Sequence, residues 1–283
     1  MLDPTVVQIS VEGFAGFVTR YFVALAAVGA LTMAVLEAWK KIFDTRTRFQ
    51  MKAVLRWIGE AAEDFRVASQ LGRTAPPEPR LAYAELIHLT TGTEMPAVDD
   101  AAMDLLPRHR EIAMQRTKVP RDAELALFSL DLDRMMGHIQ DAADVALRDP
   151  RRYPDLYRFL AWGAGDADIA AWLQEAYAPA AALDAERSNQ RAGLYARLNG
   201  AIRRRLDGFQ LYTDYRWTNL NQLAANGVGA LIMFCALVVA NQAAGQGIDG
   251  AEWIFFVVVS LIGGTLAPVA KDIVMALQRV RGA

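Results

Sequence analysis

Apolar residues gather in three uninterrupted stretches and, between the first and second of these, recur at helical spacing. The first stretch, Tyr21 to Leu36, is flanked by Arg20 and Glu37. No charge falls between Trp217 and Ile248, and the most apolar part of that stretch is Gly227 to Ala240. The third runs from Trp253 to Ala270 and ends at Lys271. A helix needs about 20 mostly apolar residues to cross ~30 Å of hydrocarbon. The second stretch has that length. The first and third reach it when Arg20 and Lys271 snorkel to the headgroups. A buried helix of a water-soluble core is the competing reading, and it is weakest for the third stretch, where FFVVVSLI has no polar face.

The segment between the first two stretches shows no sustained strand-like alternation, and its apolar positions step by three and four. Trp39, Ile42, Phe49, Val54, Trp57, Ala61 and Phe65 predict that the first span continues as one long helix into GRTAPPEPR, where glycine and prolines break it. Short helices are expected over Leu81–Thr91, stopped by Gly92, and after Asp99 or Asp100. A loop is expected over residues 107–120. Leu125, Phe128, Leu132, Met135, Ile139, Ala142 and Ala146 predict a single helix from Arg121 to Leu147, closed by DPRRYPD. Another covers Ala167–Tyr177. From Pro179 a long helix with the stripe Leu194, Leu198, Ile202, Leu206, Phe209 and Thr213 runs into the second span, and packing it on the helix after the first span buries both stripes. The fold class expected is therefore an all-α membrane protein with three transmembrane helices and a helical cytoplasmic domain between the first and second. Its parts are residues 1–39 (extracytoplasmic N-terminus and first span), 40–216 (cytoplasmic domain), 217–271 (membrane hairpin) and 272–283 (cytoplasmic basic tail).

Charge changes the picture by orienting it. Lys40, Lys41, Arg46, Arg48, Lys52 and Arg56 follow the first span, Arg203, Arg204, Arg205 and Arg216 precede the second, and Lys271, Arg279 and Arg281 follow the third. The link between spans two and three carries only Asp249 and Glu252 as charges. Lysine and arginine mark the cytoplasmic side, so the expected location is the inner membrane, with the N-terminus out and the C-terminus cytoplasmic. The leader holds Asp3 and Glu12 and no basic residue before Arg20. AWKKIF follows the apolar stretch where a signal peptide has small residues. The first span reads as a retained anchor.

Composition narrows the chemistry. A formal net charge of −2 lacks the basic field of a general nucleic-acid binder, so no nucleic acid is expected as a partner. One cysteine, Cys235, excludes a disulfide framework and multi-cysteine metal sites, and in the second span its thiol is packing. Phosphate-loop, dinucleotide, zincin and nucleophile-elbow motifs are absent, so no enzyme activity and no cofactor are expected.

Four groups of candidate residues remain. His138, Asp141 and Asp144 have donor types that suit a divalent cation, but Asp144 lies ~240° around a helix from His138. They read equally as a solvated face, and the expected metal set is none. His88, His109 and His138 fall in different elements. Lys40 and Lys41 abut the first span and suit an anionic lipid surface. Arg203, Arg204 and Arg205 suit an acidic partner surface or mark the cytoplasmic side. Ser260, Gly263, Gly264 and Pro268 place small residues at four-residue steps, which permits close helix approach, while Pro268 frees the Gly264 carbonyl. This last group reads as helix packing or as an ion-coordinating hinge.

RRRLDGFQLYTDYRW before the second span and LAPVAKDIVMALQRVRG at the end resemble the entry helix and basic exit of a set of uncharacterised bacterial inner-membrane proteins. The resemblance implies architecture alone. The function expected is a membrane-anchored scaffold or signal-coupling protein whose cytoplasmic helical domain binds a protein partner. The alternatives are a homo-oligomeric channel or pore-forming effector gated by that domain, and a membrane-bound metal-dependent hydrolase using His138. The lipid bilayer is a partner in all three.

Overall fold

The computed structural model describes the backbone of residues 4–70, 78–93, 117–177, 185–243, 250 and 253–266, and these residues are all-α. Helices α1 (Pro4–Phe43), α2 (Thr45–Gln70) and α3 (Pro79–Thr91) are followed by α4 (Arg121–Phe128), α5 (Leu132–Arg148), α6 (Pro154–Ala161) and α7 (Asp166–Tyr177). The last two are α8 (Ala185–Ala243) and the shorter α9 (Trp253–Leu266). The chain divides into two compact units, Arg46–Arg216 and Met1–Thr45 with Trp217–Ala283. The helix expected after Asp99 or Asp100 and the loop at 107–120 up to residue 116 lie outside the described residues, as do Pro179, Pro268 and the basic tail.

In the Arg46–Arg216 unit, α3 is the central element and packs on α4, α5 and α6. Its run from Ala82 to His88 is buried on consecutive positions, so it is enclosed on all sides and not amphipathic as the sequence suggested. Alanines at 82 and 84, both fully buried, let neighbouring helices close over it. Gly92 ends it with φ 66°, the left-handed geometry that spares glycine the Cβ penalty. Around α3 lie Phe128, Met135, Ile139, Tyr157 and Phe159, each at most 1% exposed, with Val54 and Ile58 of α2 and Leu198, Ile202 and Leu206 of α8 in the same core. The expected packing of α2 on the pre-span helix is present. Trp57 stacks on Phe209 with ring centroids 4.3 Å apart and meets Phe159 edge-on at 4.6 Å. The Phe65 side chain lies outside the described residues.

Polar ties fasten the open ends of these helices. The last carbonyls of a helix have no intrahelical donor, and side chains supply one. The Trp172 indole donates to Leu147 O at 2.8 Å near the end of α5; the Tyr157 hydroxyl donates to Ile169 O at 3.2 Å in the first turn of α7, which ties α6 to α7 instead of closing a helix end. Burial pushes the Tyr157 hydroxyl well above the usual phenol range, which keeps its donating proton in place. At the N-termini, α3 and α6 exchange caps. The Glu78 amide, at the N-cap of α3, donates to Asp155 Oδ1 at 2.9 Å, while the Leu156 amide in the first turn of α6 donates to the fully buried Glu85 at 2.8 Å. Pro79 and Pro154 sit at the first turns of the same two helices, where a missing amide removes nothing the helix would use.

Three boundaries differ from those expected. The helix through the first span does not continue unbroken: Asp44 takes φ 44° and separates α1 from α2. Aspartate is one of the few residues that tolerates this left-handed conformation, because its short polar side chain can bond locally. The helix expected from Arg121 to Leu147 is two, divided at Ser129–Asp131. There the Ser129 hydroxyl donates to Ala126 O at 3.0 Å and Asp131 is extended as the N-cap of α5. In consequence Leu125, expected on the buried stripe, is 44% exposed. Helix α6 was absent from the sequence reading, which took DPRRYPD as a stop alone; Pro154 both follows that stop and starts a helix.

In the other unit the rule of burial is reversed. Leu231, Val239, Ile254 and Phe255 are each more than 60% exposed. Leu25 and Leu36 are buried, but the closest helix contacts are made at small residues. An ideal Cβ on Gly264 would stand 2.5 Å from Ala230 N and 2.8 Å from Asn226 O, and one on Gly229 would meet Gly264 O at 3.2 Å. Two helices are long and apolar enough to cross a membrane, Val23–Phe43 within α1 and the C-terminal part of α8, with α9 a shorter apolar helix.

Candidate functional site

Three surfaces carry the side chains with chemical or binding potential. The first is the seam where α1, α8 and α9 meet. Ser260, Gly263 and Gly264 of α9 are buried there, together with Thr32 of α1 and Gly229 of α8. A Cβ on Gly263 would meet the flexible end of Met233 at 2.9 Å and lie in ordinary contact with Leu25 Cδ2 at 3.8 Å. The hydroxyls bond within their own helices: Thr32 to Val28 O at 2.7 Å, Ser260 to Phe256 O at 2.5 Å and Thr265 to Ile262 O at 2.7 Å. Such back-bonding satisfies a hydroxyl without a partner from another helix. Backbone contact at Gly264 leaves no aqueous path between α8 and α9 at that level.

The second surface is the arginine run on α8. Its members separate sharply. Arg203 and Arg204 are exposed. Arg205 is turned inward and donates through one guanidinium nitrogen to Phe159 O at 2.6 Å and Trp162 O at 3.0 Å. The same guanidinium lies 4.5 Å over the Phe159 ring and 5.4 Å over Trp57. Arg205 therefore caps α6 and ties it to α2 and α8, a structural role the sequence did not distinguish from its neighbours. Upstream on α8, Arg197 makes two bonds to Asp168 at 2.8 and 2.9 Å. Hydrogen bonding from Arg197, with its charge, holds the Asp168 carboxyl below the usual carboxylate range.

The third is an open groove of about 490 Å³ lined by Leu132 and Asp133 of α5 and by Asp207, Gln210, Leu211 and Asp214 of α8. Gln210 Nε2 donates to Asp133 Oδ1 at 3.0 Å. The sequence reading missed this groove. Asp207, Leu211 and Asp214 share a face at four- and three-residue steps, but Asp133 reaches them only through the tertiary fold. Exposed carboxylates in a wide groove attract cationic groups.

The two described histidines, His88 and His138, lie on different helices. His138 is exposed on α5, as is Asp141, with Asp144 half-buried. His88 is buried on α3, its Nδ1 2.7 Å from Thr93 Oγ1, and its Nε2 has no hydrogen-bond partner among the described residues. His109 lies outside the described residues. Among those residues, no three histidine, cysteine, aspartate or glutamate side chains gather at metal-binding distance. Tyr83 donates to Glu124 at 2.9 Å, and burial, then that bond, raise its hydroxyl far above the usual range, so it stays protonated as a structural donor. At the end of α1, Lys40 pairs with Glu37 at 2.9 Å while Lys41 is exposed. Trp39 and Phe43 flank them, rings 4.2 Å apart. Compared with known proteins, the chain matches no family model, no curated sequence and no solved structure.

Proposed function

We propose that this protein is a membrane-anchored scaffold or signal-coupling protein, whose helical Arg46–Arg216 unit is cytoplasmic and binds a protein partner. The observation that carries the reading is the opposite placement of large apolar side chains in the two units. One encloses them as a water-soluble domain does; the other turns them outward and packs on glycine, as helices surrounded by lipid do. Aromatic and basic collars support the depth assignment. Trp39, Lys40, Lys41 and Phe43 end α1, while Tyr212, Tyr215 and Arg216 precede the apolar part of α8, and such residues favour the membrane–water boundary. The excess of lysine and arginine beside both collars favours the cytoplasmic side for residues 46–216. The N-terminus and the α8–α9 link are then outside, and α9 forms the third span with the residues that follow it.

Exposed Arg203 and Arg204 are the proposed contact for an acidic partner surface, since neither is used to hold the fold as Arg205 is. Two measurements test the proposal. The protein should stay with membranes through alkaline carbonate extraction; release into the supernatant removes the membrane assignment. Full-length protein purified in mild detergent should bring down a stoichiometric partner that Arg203→Glu/Arg204→Glu loses without unfolding. Ion flux from reconstituted protein lacking any such partner would favour the channel alternative.

A further inference from the structure

The exposed side of α2 carries a basic stripe that the fold does not use. At ~100° per residue, Arg48, Lys52 and Arg56 fall within about 80° of one another, with Gly59 inside that arc and Leu55 ~20° beyond its Arg48 edge. Thr47, Gln50, Val54, Ile58 and Ala61, the buried positions, occupy the opposite side of the helix. Arg48, Lys52 and Arg56 are exposed and make no ion pair among the described residues. Arg46, by contrast, sits off the stripe and pairs with Asp131 at 2.7 Å. The positive run is confined to the part of α2 nearest the first span, and the sequence turns acidic at Glu60, Glu63 and Asp64. Arg48 is only five residues beyond Phe43. Five residues of chain therefore separate the stripe's first cation from the end of α1, and a charged surface acts over ~8–10 Å at physiological salt.

Resting on the membrane reading above, we propose that the outer face of α2 binds the anionic phospholipid headgroups of the cytoplasmic leaflet through Arg48, Lys52 and Arg56, with Leu55 dipping beside them. Charge complementarity selects this occupant. Three exposed cations close in sequence to a span meet a surface of phosphates at high local concentration, and Lys41, exposed at the end of α1, extends the same field along the chain. The stripe then gives the cytoplasmic unit a second, salt-sensitive hold on the bilayer besides the spans, one that lipid composition can strengthen or release.

Gly59 offers the probe position, because a Cβ there meets nothing within 4 Å. Full-length protein carrying Cys235→Ala and Gly59→Cys, labelled with a fluorophore, is placed in nanodiscs of phosphatidylcholine with a headgroup nitroxide, with or without phosphatidylglycerol. Strong quenching is expected with phosphatidylglycerol. It should fall away in high salt and in Arg48→Glu/Lys52→Glu/Arg56→Glu. Should the triple reversal disturb folding by circular dichroism, the glutamine triple variant makes the same comparison. An inserted protein whose probe is quenched equally in both discs, or in neither, overturns the stripe while leaving the membrane reading intact. Failure to enter discs at all removes both. A probe that ignores phosphatidylglycerol but responds to RNA or a phosphopeptide assigns the stripe to that ligand and overturns the lipid proposal.

Discussion

Along α8 the same residue types meet two fates. Upstream of Arg216, Leu194, Leu198, Ile202 and Leu206 are each at most 7% exposed, whereas downstream Leu220, Leu223, Leu231 and Val239 are all more than half exposed. Charge does change at Arg216, since none falls between Trp217 and Ile248, yet the leucines on the two sides are alike and only their burial differs. In the Arg46–Arg216 unit, leaving water drives large side chains together, at roughly 25 cal/mol per Å² of apolar surface. In the lipid setting proposed for the other unit, nothing is gained by hiding a leucine from an equally apolar surrounding. Close backbone approach holds the helices together there at Gly229 and Gly264. One unit encloses most of its large apolar side chains, and the other leaves most of them exposed around a seam of small residues.

The largest expected effect tests the first half of this contrast. Phe159→Ala removes a buried ring that packs on Trp57 and supports the Arg205 guanidinium, and should cost about 3–5 kcal/mol. Thermal unfolding followed by near-ultraviolet circular dichroism reads it directly, and an unchanged midpoint breaks the description of this core. Leu231→Arg tests the other half. A lipid-facing leucine near a span centre exchanged for arginine costs about 2.5–3.5 kcal/mol of insertion free energy, so membrane-fraction yield should fall sharply. A position facing water would tolerate the exchange with no change in yield.

Next in size is the seam. Gly264→Ala drives a Cβ against the backbone of Ala230 and should cost about 1–3 kcal/mol, as overpacking does. Gly263→Ala should cost less, because its nearest neighbour is the flexible end of Met233. Resistance to unfolding in increasing detergent denaturant ranks the two, and the reverse order would mean that the close backbone approach at Gly264 is not what holds the seam. The smallest effect is that of pH. Asp168 is held below its ordinary range by Arg197, so the pair stabilises the fold fully above the unfolded carboxylate value of ~3.9, and that contribution is lost as pH falls through the lower folded value. Asp168→Asn should flatten the acid limb of the stability–pH curve, slightly, because both side chains are substantially exposed.

What the sequence made legible was periodic and local. The stripe on α8, the helix Ala167–Tyr177, the stop at Gly92 and the small-residue face of α9 were all readable, because spacing alone determines them. The misreadings share one cause, which is that a residue's local chemistry admits two outcomes and tertiary context selects one. Proline at 154 can follow a helix or begin one. Asp44 carries no sign that it will turn left-handed in KKIFDTRT. Three consecutive arginines step by ~100° around a helix, and only the position of α6 decides that Arg205 is the one turned inward. The groove at Asp133, Asp207 and Asp214 joins segments far apart in the chain, which no single-segment pattern can report.

The exchanged caps of α3 and α6 have a consequence for how the Arg46–Arg216 unit assembles. Each helix begins on a carboxylate lent by the other, across 77 residues for Glu78 with Asp155 and 71 for Glu85 with Leu156. Neither start can be completed locally during synthesis or refolding. The chain must first close a loop of that length, and non-local closure of this kind slows folding. The same reciprocity operates in the folded protein. Separating the two helices frees two amides and two carboxylates in one event, so partial fraying of one end gains nothing without the other. Helices α3 and α6 are therefore a single cooperative element split in sequence, and their opening belongs to the global unfolding of the unit.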